Sequence, residues 1–387
     1  MRILFVHSLT IQRDDILWGI IELGIDVESS TTLVDLDAVE EDKVESLVAE
    51  LAGYDLAFSQ NFSATLAEAC HIAGKPYFSW TYDSPLVALY RKEAAYDTSH
   101  PFHFDKKQCQ RLKAAGVTNI RHMPLPANIR KYESYGFTSL GDFKYDISFI
   151  GQIYESPFYC RVKSGAPDFM VSHLEDILGK LTCNYKEGSI FGTLYPNEVD
   201  ALYEVINKKG FDDHLFDKAY MIEELLFANE LSGRDRVAVL NGAEDLEVNL
   251  ITHNPDRYKE VLKCKLHPPV CREDMYKIFA SSKINLNITL RSIESGVPQR
   301  VIDIMTAGGF VLTNYQSEVE ELFVEDKEIV TFSTLEEYRD KARYYLAHED
   351  KRKAIAAAGL KKVREEYNVT KLVERMLIEA GLLQYNM

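Results

Sequence analysis

The sequence predicts an α/β protein built on two parallel, doubly wound sheets with helices on both faces. Three observations predict this class. Short apolar runs alternate with amphipathic helical patterns as far as Met123, a second set of such units follows a proline-containing break, and the chain finishes in a long helical tail. Strands that alternate with helices pair in parallel and are joined by right-handed crossovers.

The first group of units begins with the apolar run from Arg2 to His7, which is almost uninterrupted, as in a strand buried on both faces. Further strands are expected at 27–34, 56–59, 76–80, 102–104 and 120–123. Helices are expected at 14–23, 38–51, 64–72 and 106–115, and three of them stop at a glycine, namely Gly24, Gly74 and Gly116.

Pro124 and Pro126 break this pattern, which predicts a linker at 131–144 between a first domain at 1–130 and a second domain at 145–368. The second domain is expected to start with a strand at 145–151 and to contain a helical insertion at about 164–231. Strands are then predicted at 237–240 and 247–252, and tail helices at 335–348, 351–367 and 369–381.

The segment 282–314 contains the clearest motif. A strand at 284–288 is followed by a polar loop, a helix at 299–307, the pair Gly308-Gly309 and a second strand at 310–313, which together form a βαβ unit. Open parallel sheets bind ligands at the carboxyl ends of their strands. The sequence therefore predicts a binding site in the loop of this segment.

Arg300 and Asp303 lie three residues apart at the start of the predicted helix. The guanidinium of Arg300 suits a diphosphate because it presents paired donors and stays charged. A carboxylate near a helix start suits ribose hydroxyls, as in dinucleotide-binding folds. The alternative is a plain intrahelical pair. We interpret the two residues as half of a nucleotide-sugar site.

Composition excludes several classes of function. The 387 residues include 44 basic and 60 acidic side chains, giving a net charge of −16, which disfavours nucleic acid and anionic lipid as partners. The amino terminus does not resemble a signal peptide, and no apolar stretch is long enough to cross a bilayer. Six scattered cysteines predict reduced thiols and a cytoplasmic location.

No metal site is predicted. Cys264, His267 and Cys271 lie close together, but no CxxC accompanies them, so structural roles are favoured. The letters DxD occur at 35–37 in an acidic stretch rather than at a strand end. Arginine and helix amino termini can stabilise a diphosphate leaving group in place of a metal ion.

Candidate catalytic residues follow strands of the first domain. Asp83 follows the strand at 76–80 and is a candidate base or sugar ligand, with a helix N-cap before Ser-Pro as the alternative. His7 ends the first strand and is a candidate general base, with a structural histidine as the alternative. Asn61 is predicted to cap the helix at 64–72 or, less favoured, to contact the acceptor.

Two further donor-binding candidates flank the start of the second domain. Gly151 ends the strand at 145–151, where a glycine lets the backbone approach a phosphate, and Arg161 follows ten residues later. A turn glycine and a surface arginine are the alternative explanations.

Four segments, at 104–128 (FDKKQCQRLKAAGVTNIRHMPLPAN), 145–152 (YDISFIGQ), 284–314 and 337–363, together resemble the CgeB/YkvP-like spore-maturation group of GT-B glycosyltransferases. The resemblance implies two Rossmann-like domains facing a cleft, with a C-terminal helix in 369–387 that crosses back onto the first domain. It implies acceptor binding on the first domain and nucleotide-sugar binding on the second. No cofactor is implied besides the nucleotide sugar, and the acceptor is a protein, a glycan or a small molecule.

The resemblance also assigns donor-binding positions, namely Asn287, Gly296, Arg300, Asp303, Gly308 and Gly309. Asp303 falls at the second acid of an E-x7-E pair, but Ser295 occupies the first position and Glu294 is displaced by one. Base recognition is expected around 266–270. The alternatives to a glycosyltransferase are a GT-B-like nucleotide-sugar epimerase and a catalytically silent nucleotide-binding or coat-associated protein.

Overall fold

The computed structural model describes residues 1–8, 14–36, 38–135, 143–186, 188–206 and 215–383, so that part of the predicted linker and the last four residues lie outside the description. Two six-stranded parallel sheets form its centre. The first sheet contains β1 (Arg2–Val6), β2 (Asp26–Ser29), β3 (Leu56–Gln60), β4 (Tyr77–Thr81), β5 (Ser99–His103) and β6 (Arg121–His122). The second contains β7 (Tyr145–Ile150), β8 (Val248–Ile251), β9 (Lys265–His267), β10 (Ser282–Asn287), β11 (Val311–Asn314) and β12 (Val330–Phe332).

Sixteen α-helices lie in the described residues. The first sheet is accompanied by α1 (Asp15–Glu22), α2 (Glu41–Leu51), α3 (Ala64–Ala73), α4 (Lys106–Ala114) and α5 (Ile129–Ser134). The second is accompanied by α6 (Pro157–Gly165), α7 (Asp168–Leu181), α8 (Pro196–Ile206), α9 (Lys218–Glu223), α10 (Asn229–Asn241), α11 (Arg272–Ala280), α12 (Gln299–Thr306), α13 (Ser317–Leu322), α14 (Leu335–Ala347) and α15 (Glu349–Glu366), and α16 (Val369–Glu379) ends the chain.

Both sheets are doubly wound. The strand order is β2-β1-β3-β4-β5-β6 in the first sheet and β12-β11-β10-β7-β8-β9 in the second. The chain therefore reverses its direction of winding between β1 and β3 in one sheet and between β7 and β10 in the other. Crevices that bind ligands form at such switch points, outside the carboxyl ends of the strands.

Local sequence explains why the elements begin and end where they do. Ser63 caps α3 by accepting a hydrogen bond from the backbone N–H of Leu66, and Gly74 ends the helix in the left-handed region at φ 61°. The α12 helix begins directly after Pro298, and a proline disfavours helical backbone at the residue before it, Val297. These boundaries agree with the sequence-based expectations.

One strand prediction is wrong. Residues 237–240 lie within α10, a thirteen-residue helix, and do not form a strand. The helix is buried on most of its circumference, at positions that include Ser232, Asp235 and Val239. A short apolar run inside such a helix cannot be distinguished from a buried strand by periodicity, which is why the prediction failed.

The C-terminal helix crosses back onto the first domain, as expected. Backbone hydrogen bonds join Ala127 to Tyr367 and Val369 on either side of the crossing. The α16 helix then packs on α1, and a Cβ placed on Gly19 would lie only 3.1 Å from a methyl of Val369. Within the described residues, no helix combines the length and apolar composition that a membrane span requires.

The helical insertion contacts both domains. Its helices follow β7 of the second sheet, yet the backbone N–H of Leu215 donates to the carbonyl of Tyr90 in the first domain at 2.6 Å. The ring of Tyr90 stacks on Phe216 at 4.3 Å, and Gln108 donates to the hydroxyl of Tyr220 at 2.7 Å. The insertion therefore forms one wall of the space between the two sheets.

Candidate active site

The carboxyl edges of the two sheets face each other. Asp105, the second residue after β5, accepts hydrogen bonds from the backbone N–H groups of Glu294 (2.7 Å) and Ser295 (3.2 Å) in the loop after β10. Arg272, at the start of α11 after β9, pairs with Asp15 at the start of α1 after β1, at 2.9 Å. Segments that leave the strands of one sheet thus contact those that leave the other, which places a cleft between the two edges.

Asp83 and His7 lie on the first-domain side of this cleft. The Asp83 side chain is exposed just beyond β4, and its Oδ2 accepts a 2.7 Å hydrogen bond from Nδ2 of Asn61. His7 follows β1 and is half-buried, with Nε2 3.3 Å from the hydroxyl of Ser29. The side chains of both candidate bases therefore lie at the carboxyl edge of the first sheet.

The structure shows no capping role for Asp83 or Asn61. After Asp83 the next helical turn is a 3₁₀ turn that begins at Val87, with Leu86 at its N-cap. The cap of α3 is Ser63 and not Asn61, so the capping prediction for Asn61 is wrong. Asn61 has φ 59°, a left-handed conformation that points its amide across to the segment after β4.

Two arginines, Arg236 and Arg300, lie near the switch point of the second sheet between β7 and β10. Arg236 in α10 donates to the carbonyls of Gln152, after β7, at 2.5 Å and of Ile288, after β10, at 2.9 Å. Burial lowers the pKa of the Arg236 guanidinium, and the nearby charge of Arg300 acts in the same direction. An anion bound near both guanidinium groups would be stabilised by their positive charges.

One hydrogen-bond donor at this position has no partner among the described residues. The Nε of Arg236 is buried without a hydrogen-bond acceptor among the described residues. Arg300 lies in the first turn of α12, next to Sδ of Met275 and 5.5 Å from the ring centroid of Phe279. A buried donor without an acceptor is costly, which marks the crevice as a place for an anionic ligand.

Sequence reasoning missed Arg236. Burial on most sides of α10 leaves no clear helical period over 229–241, and the apolar run at 237–240 was interpreted as a strand. Arg161, which was predicted along with Arg300 to bind the donor, lies on the exposed face of α6. Its guanidinium lies 5.8 Å from the ring centroid of Phe158.

Asp303 and Asn287 are interior residues. Asp303 is 3% exposed, and its Oδ1 accepts hydrogen bonds from the hydroxyl of Tyr276 (3.1 Å) and from Nε2 of Gln299 (3.0 Å). Asn287, at the end of β10, is also 3% exposed and donates to the hydroxyl of Thr313 at 2.8 Å. Both side chains therefore form hydrogen bonds inside the second domain and stabilise β10 and the helix α12 that carries Arg300.

The glycines predicted for the donor site lie in three different places in the structure. Gly151 directly follows β7 at the switch point, as expected. Gly296 instead lies against the first domain, since a Cβ there would come within 2.8 Å of the Phe104 ring and 3.0 Å of its carbonyl oxygen. Glycine is required at 296 for this contact between the domains.

Gly308 and Gly309 do not reach the cleft, so their assignment to the donor site is a correction. They follow α12 and precede β11, and α12 returns the chain to the amino edge of the sheet, opposite the site. A Cβ on Gly309 would lie 2.6 Å from the Asn285 amide and 3.0 Å from the Phe279 carbonyl oxygen. These glycines allow close packing of α12 on the sheet.

Ser295 takes a structural role at the position of the missing first acid. Its buried hydroxyl lies 2.6 Å from Oδ1 of Asp105 and 2.7 Å from Oε1 of Glu318. The adjacent Glu294 pairs with Arg111 at 2.8 Å. Among the described residues, no three His, Cys, Asp or Glu side chains cluster in a way that would hold a metal ion.

Part of the chain matches a known protein family. Residues 229–378 match the family described as glycosyl transferase-like, a stretch that includes Arg236, Arg300 and Asp303. Curated protein sequences give no significant match.

Solved structures share the fold at low sequence identity. The Anabaena protein HepE in complex with UDP and glucose is 12% identical, with a TM-score of 0.56 and coverage of 99% of this chain and 100% of that one. The T4 phage enzyme BGT with its UDP-glucose substrate is 10% identical, with a TM-score of 0.52 and coverage of 99% and 100%. Sucrose-phosphate synthase from Thermosynechococcus elongatus is 8% identical, with a TM-score of 0.52 and coverage of 98% of each chain. The chain has a GT-B fold, and its residues 229–378 are similar to the glycosyl transferase-like family.

Proposed function

We propose that this protein transfers a sugar from a nucleotide-diphosphate sugar to an acceptor hydroxyl without a metal ion. The observation that supports it most is the pair of Arg236 and Arg300 at the switch point of the second sheet, with Nε of Arg236 buried and lacking an acceptor. A diphosphate supplies the charge and the acceptor atoms that this crevice lacks.

The donor half of the reaction uses the second domain. Arg300 and Arg236 hold the diphosphate, together with the amino terminus of α12, whose first backbone N–H groups and helix dipole favour an anion. When the bond between the sugar carbon and the phosphate oxygen breaks, negative charge develops on the departing diphosphate. The guanidinium groups stabilise that charge in place of a metal ion.

The acceptor half uses the first domain. Asp83 takes the proton from the acceptor hydroxyl while the oxygen attacks the sugar carbon, and Asn61 holds the carboxylate in position at 2.7 Å. His7, at the end of β1, is the second candidate base. The contacts of Asp105 with Glu294 and Ser295 hold the two halves of the site together.

Several finer assignments belong to the same proposal. The neighbouring structures that contain UDP or UDP-glucose make uridine-diphosphate sugars the first donors to test. The resemblance of four segments to the spore-maturation group supports an acceptor on a protein or glycan of that context. Six unpaired cysteines support a cytoplasmic location.

The test is calorimetric titration of the folded protein with UDP-, GDP-, TDP- and ADP-sugars, followed by a transfer assay with the donor that binds. We expect one donor class to bind and the Arg300→Ala variant to bind it more weakly. Failure of every nucleotide sugar to bind would overturn the proposal. Conversion of the donor to its epimer in the absence of an acceptor would assign an epimerase instead.

A further inference from the structure

A cavity of about 270 Å³ lies where the second sheet, the helical insertion and the first domain meet, and we call it the basic pocket. The loop after β10 and the segment after β11 form its floor. The insertion and the first turn of α4 form its walls. The lining residues that matter below are Lys107, Lys186, Arg291, Glu294, Asn314 and Gln316.

Two lysines give the pocket its positive charge. Lys107 and Lys186 are both exposed, and neither forms an ion pair with a carboxylate of the described residues. The ammonium of Lys186 lies 5.2 Å from the ring centroid of Tyr315. Glu337 is within electrostatic range of Lys186, but its ion pair is with Lys341 at 2.8 Å.

The other charges in the lining are already neutralised. Arg291 pairs with buried Asp235 at 2.6 Å, and Glu294 pairs with Arg111 at 2.8 Å. The pocket therefore has two positive charges that form no ion pair among the described residues, on a chain whose net charge is −16. A local cationic pocket on an acidic protein selects for an anion.

Size and position define the ligand further. A volume of about 270 Å³ accommodates a single sugar ring with one charged group, whereas pockets for larger ligands usually span about 300–1,000 Å³. Asn314 and Gln316 border the pocket at the end of β11, but their amides are engaged inside the protein. Oδ1 of Asn314 accepts from the backbone N–H of Thr289 at 2.6 Å, and Nε2 of Gln316 donates to the carbonyl of Ile293 at 3.1 Å. The strand β11 pairs with β10, which leads to the donor crevice. Lys107 comes from the first domain, so the site is complete only when the two domains are together.

We propose that the basic pocket binds the anionic group of a monosaccharide-sized ligand, namely a sugar bearing a phosphate or a carboxylate. This inference goes beyond the proposed function and does not depend on it. The pocket itself is a property of this chain's insertion, of Lys107 and of the strand ends.

The experiment uses glucose 6-phosphate and glucuronate as probes of the two anion types, with glucose as the neutral control. Each is titrated into the protein alone and into protein saturated with UDP. We expect at least one anionic probe to bind with UDP present and glucose to bind more weakly. Lys107→Gln and Lys186→Gln should each weaken the anionic probe about three- to tenfold at low salt, with smaller effects at high salt.

Matched controls separate charge from structure. Lys107→Arg and Lys186→Arg keep the charge and should restore binding, and Lys361→Gln removes an equal charge on α15, outside the lining. Displacement of the probe by UDP, equal binding of glucose, or unchanged affinity in both glutamine variants would overturn the inference. Absence of UDP binding would overturn the proposed function, and it is read from a separate titration, so the two failures are distinguishable.

Discussion

The amide of Asn61 joins two neighbouring strand ends. It donates a hydrogen bond of 2.7 Å to the carboxylate of Asp83 and accepts one of 2.8 Å from the backbone N–H of Tyr82. Parallel pairing of β3 with β4 brings these residues together although they are 22 positions apart in the chain. The left-handed conformation of Asn61, at φ 59°, aims the amide along the carboxyl edge. Asp83 is therefore a positioned, exposed carboxylate at the cleft.

The first prediction concerns Asp83. Because no helix starts at Asp83, Asp83→Asn should leave the Tm unchanged, while turnover falls by about 10²-fold or more through loss of the base. Thermal unfolding and initial rates of wild type, Asp83→Asn and Asp83→Ala give the answer. Normal turnover in the asparagine variant would remove Asp83 from the chemistry and leave His7 as the candidate.

The second prediction separates the backbone role of Asn61 from its side-chain role. Asn61→Gly permits the positive φ and should be more stable than Asn61→Ala, although the backbone N–H of Tyr82 loses its acceptor in both. It should lower turnover because Asp83 loses its partner. Asn61→Ala loses the same hydrogen bond and also strains the backbone, at a cost of about 1–3 kcal/mol. Equal turnover of the glycine variant and wild type would show that Asp83 needs no such support.

The third prediction concerns the diphosphate site. Arg300→Ala removes a charge-assisted contact worth about 1.5–3 kcal/mol, so affinity for UDP should fall roughly ten- to a hundredfold. Affinity for uridine, which lacks the diphosphate, should change little. Calorimetry with both ligands on wild type and variant measures the difference, and a parallel loss of uridine binding would point to a general disturbance of the fold.

The fourth prediction follows from Glu224, which lies in a π-helical turn at 224–228 of the insertion. Burial raises the pKa of Glu224 to about 8, and the charge of Glu294 adds to the effect, while Oε2 has no hydrogen-bond partner. At a pH between the unfolded and the folded pKa, the Glu224 carboxyl is protonated in the folded protein and ionised in the unfolded chain. Stability should therefore fall as pH rises from about 4.5 to about 8 and level off above that.

The matched variant is Glu224→Gln, which keeps the shape and removes the titration. It should flatten the stability profile over this pH range and raise the Tm most at the alkaline end. Thermal unfolding of both proteins across the range measures the difference. Identical profiles would show that the Glu224 carboxyl is solvated in the folded protein.

The fifth prediction tests the contact between the domains at Gly296. A Cβ in Gly296→Ala would meet the Phe104 ring at 2.8 Å and its carbonyl oxygen at 3.0 Å, so we expect destabilisation of about 1–3 kcal/mol and reduced turnover. The control is Gly179→Ala in α7, where nothing lies within 4 Å and alanine is expected to stabilise the helix by about 0.5–1 kcal/mol. Equal stability of the two variants would contradict the close approach.

Much of the fold was predictable because its signals are local. Apolar runs, Ser63 and Gly74 at the ends of α3, and the helical tail each depend on neighbouring residues. The helix α10 could not be recognised by the same reasoning. Because it is buried on most of its surface, its apolar residues do not recur at helical spacing.

The site was predictable in part. Placing Asp83, His7, Gly151 and Arg300 at strand ends or a helix start required only the rule for parallel sheets. The partners were not predictable, because Asn61 with Asp83, Arg236 with Arg300 and Gly296 with Phe104 are each set by tertiary packing of distant segments.

A structure of the complex with UDP tests the central claim most directly. The account predicts that the diphosphate lies at the switch point between β7 and β10, within hydrogen-bond distance of the Arg300 guanidinium and of Nε of Arg236. This Nε has no acceptor within the part of the chain that the structure describes. UDP bound elsewhere, or bound at the crevice with neither arginine contacting its phosphates, would contradict the account.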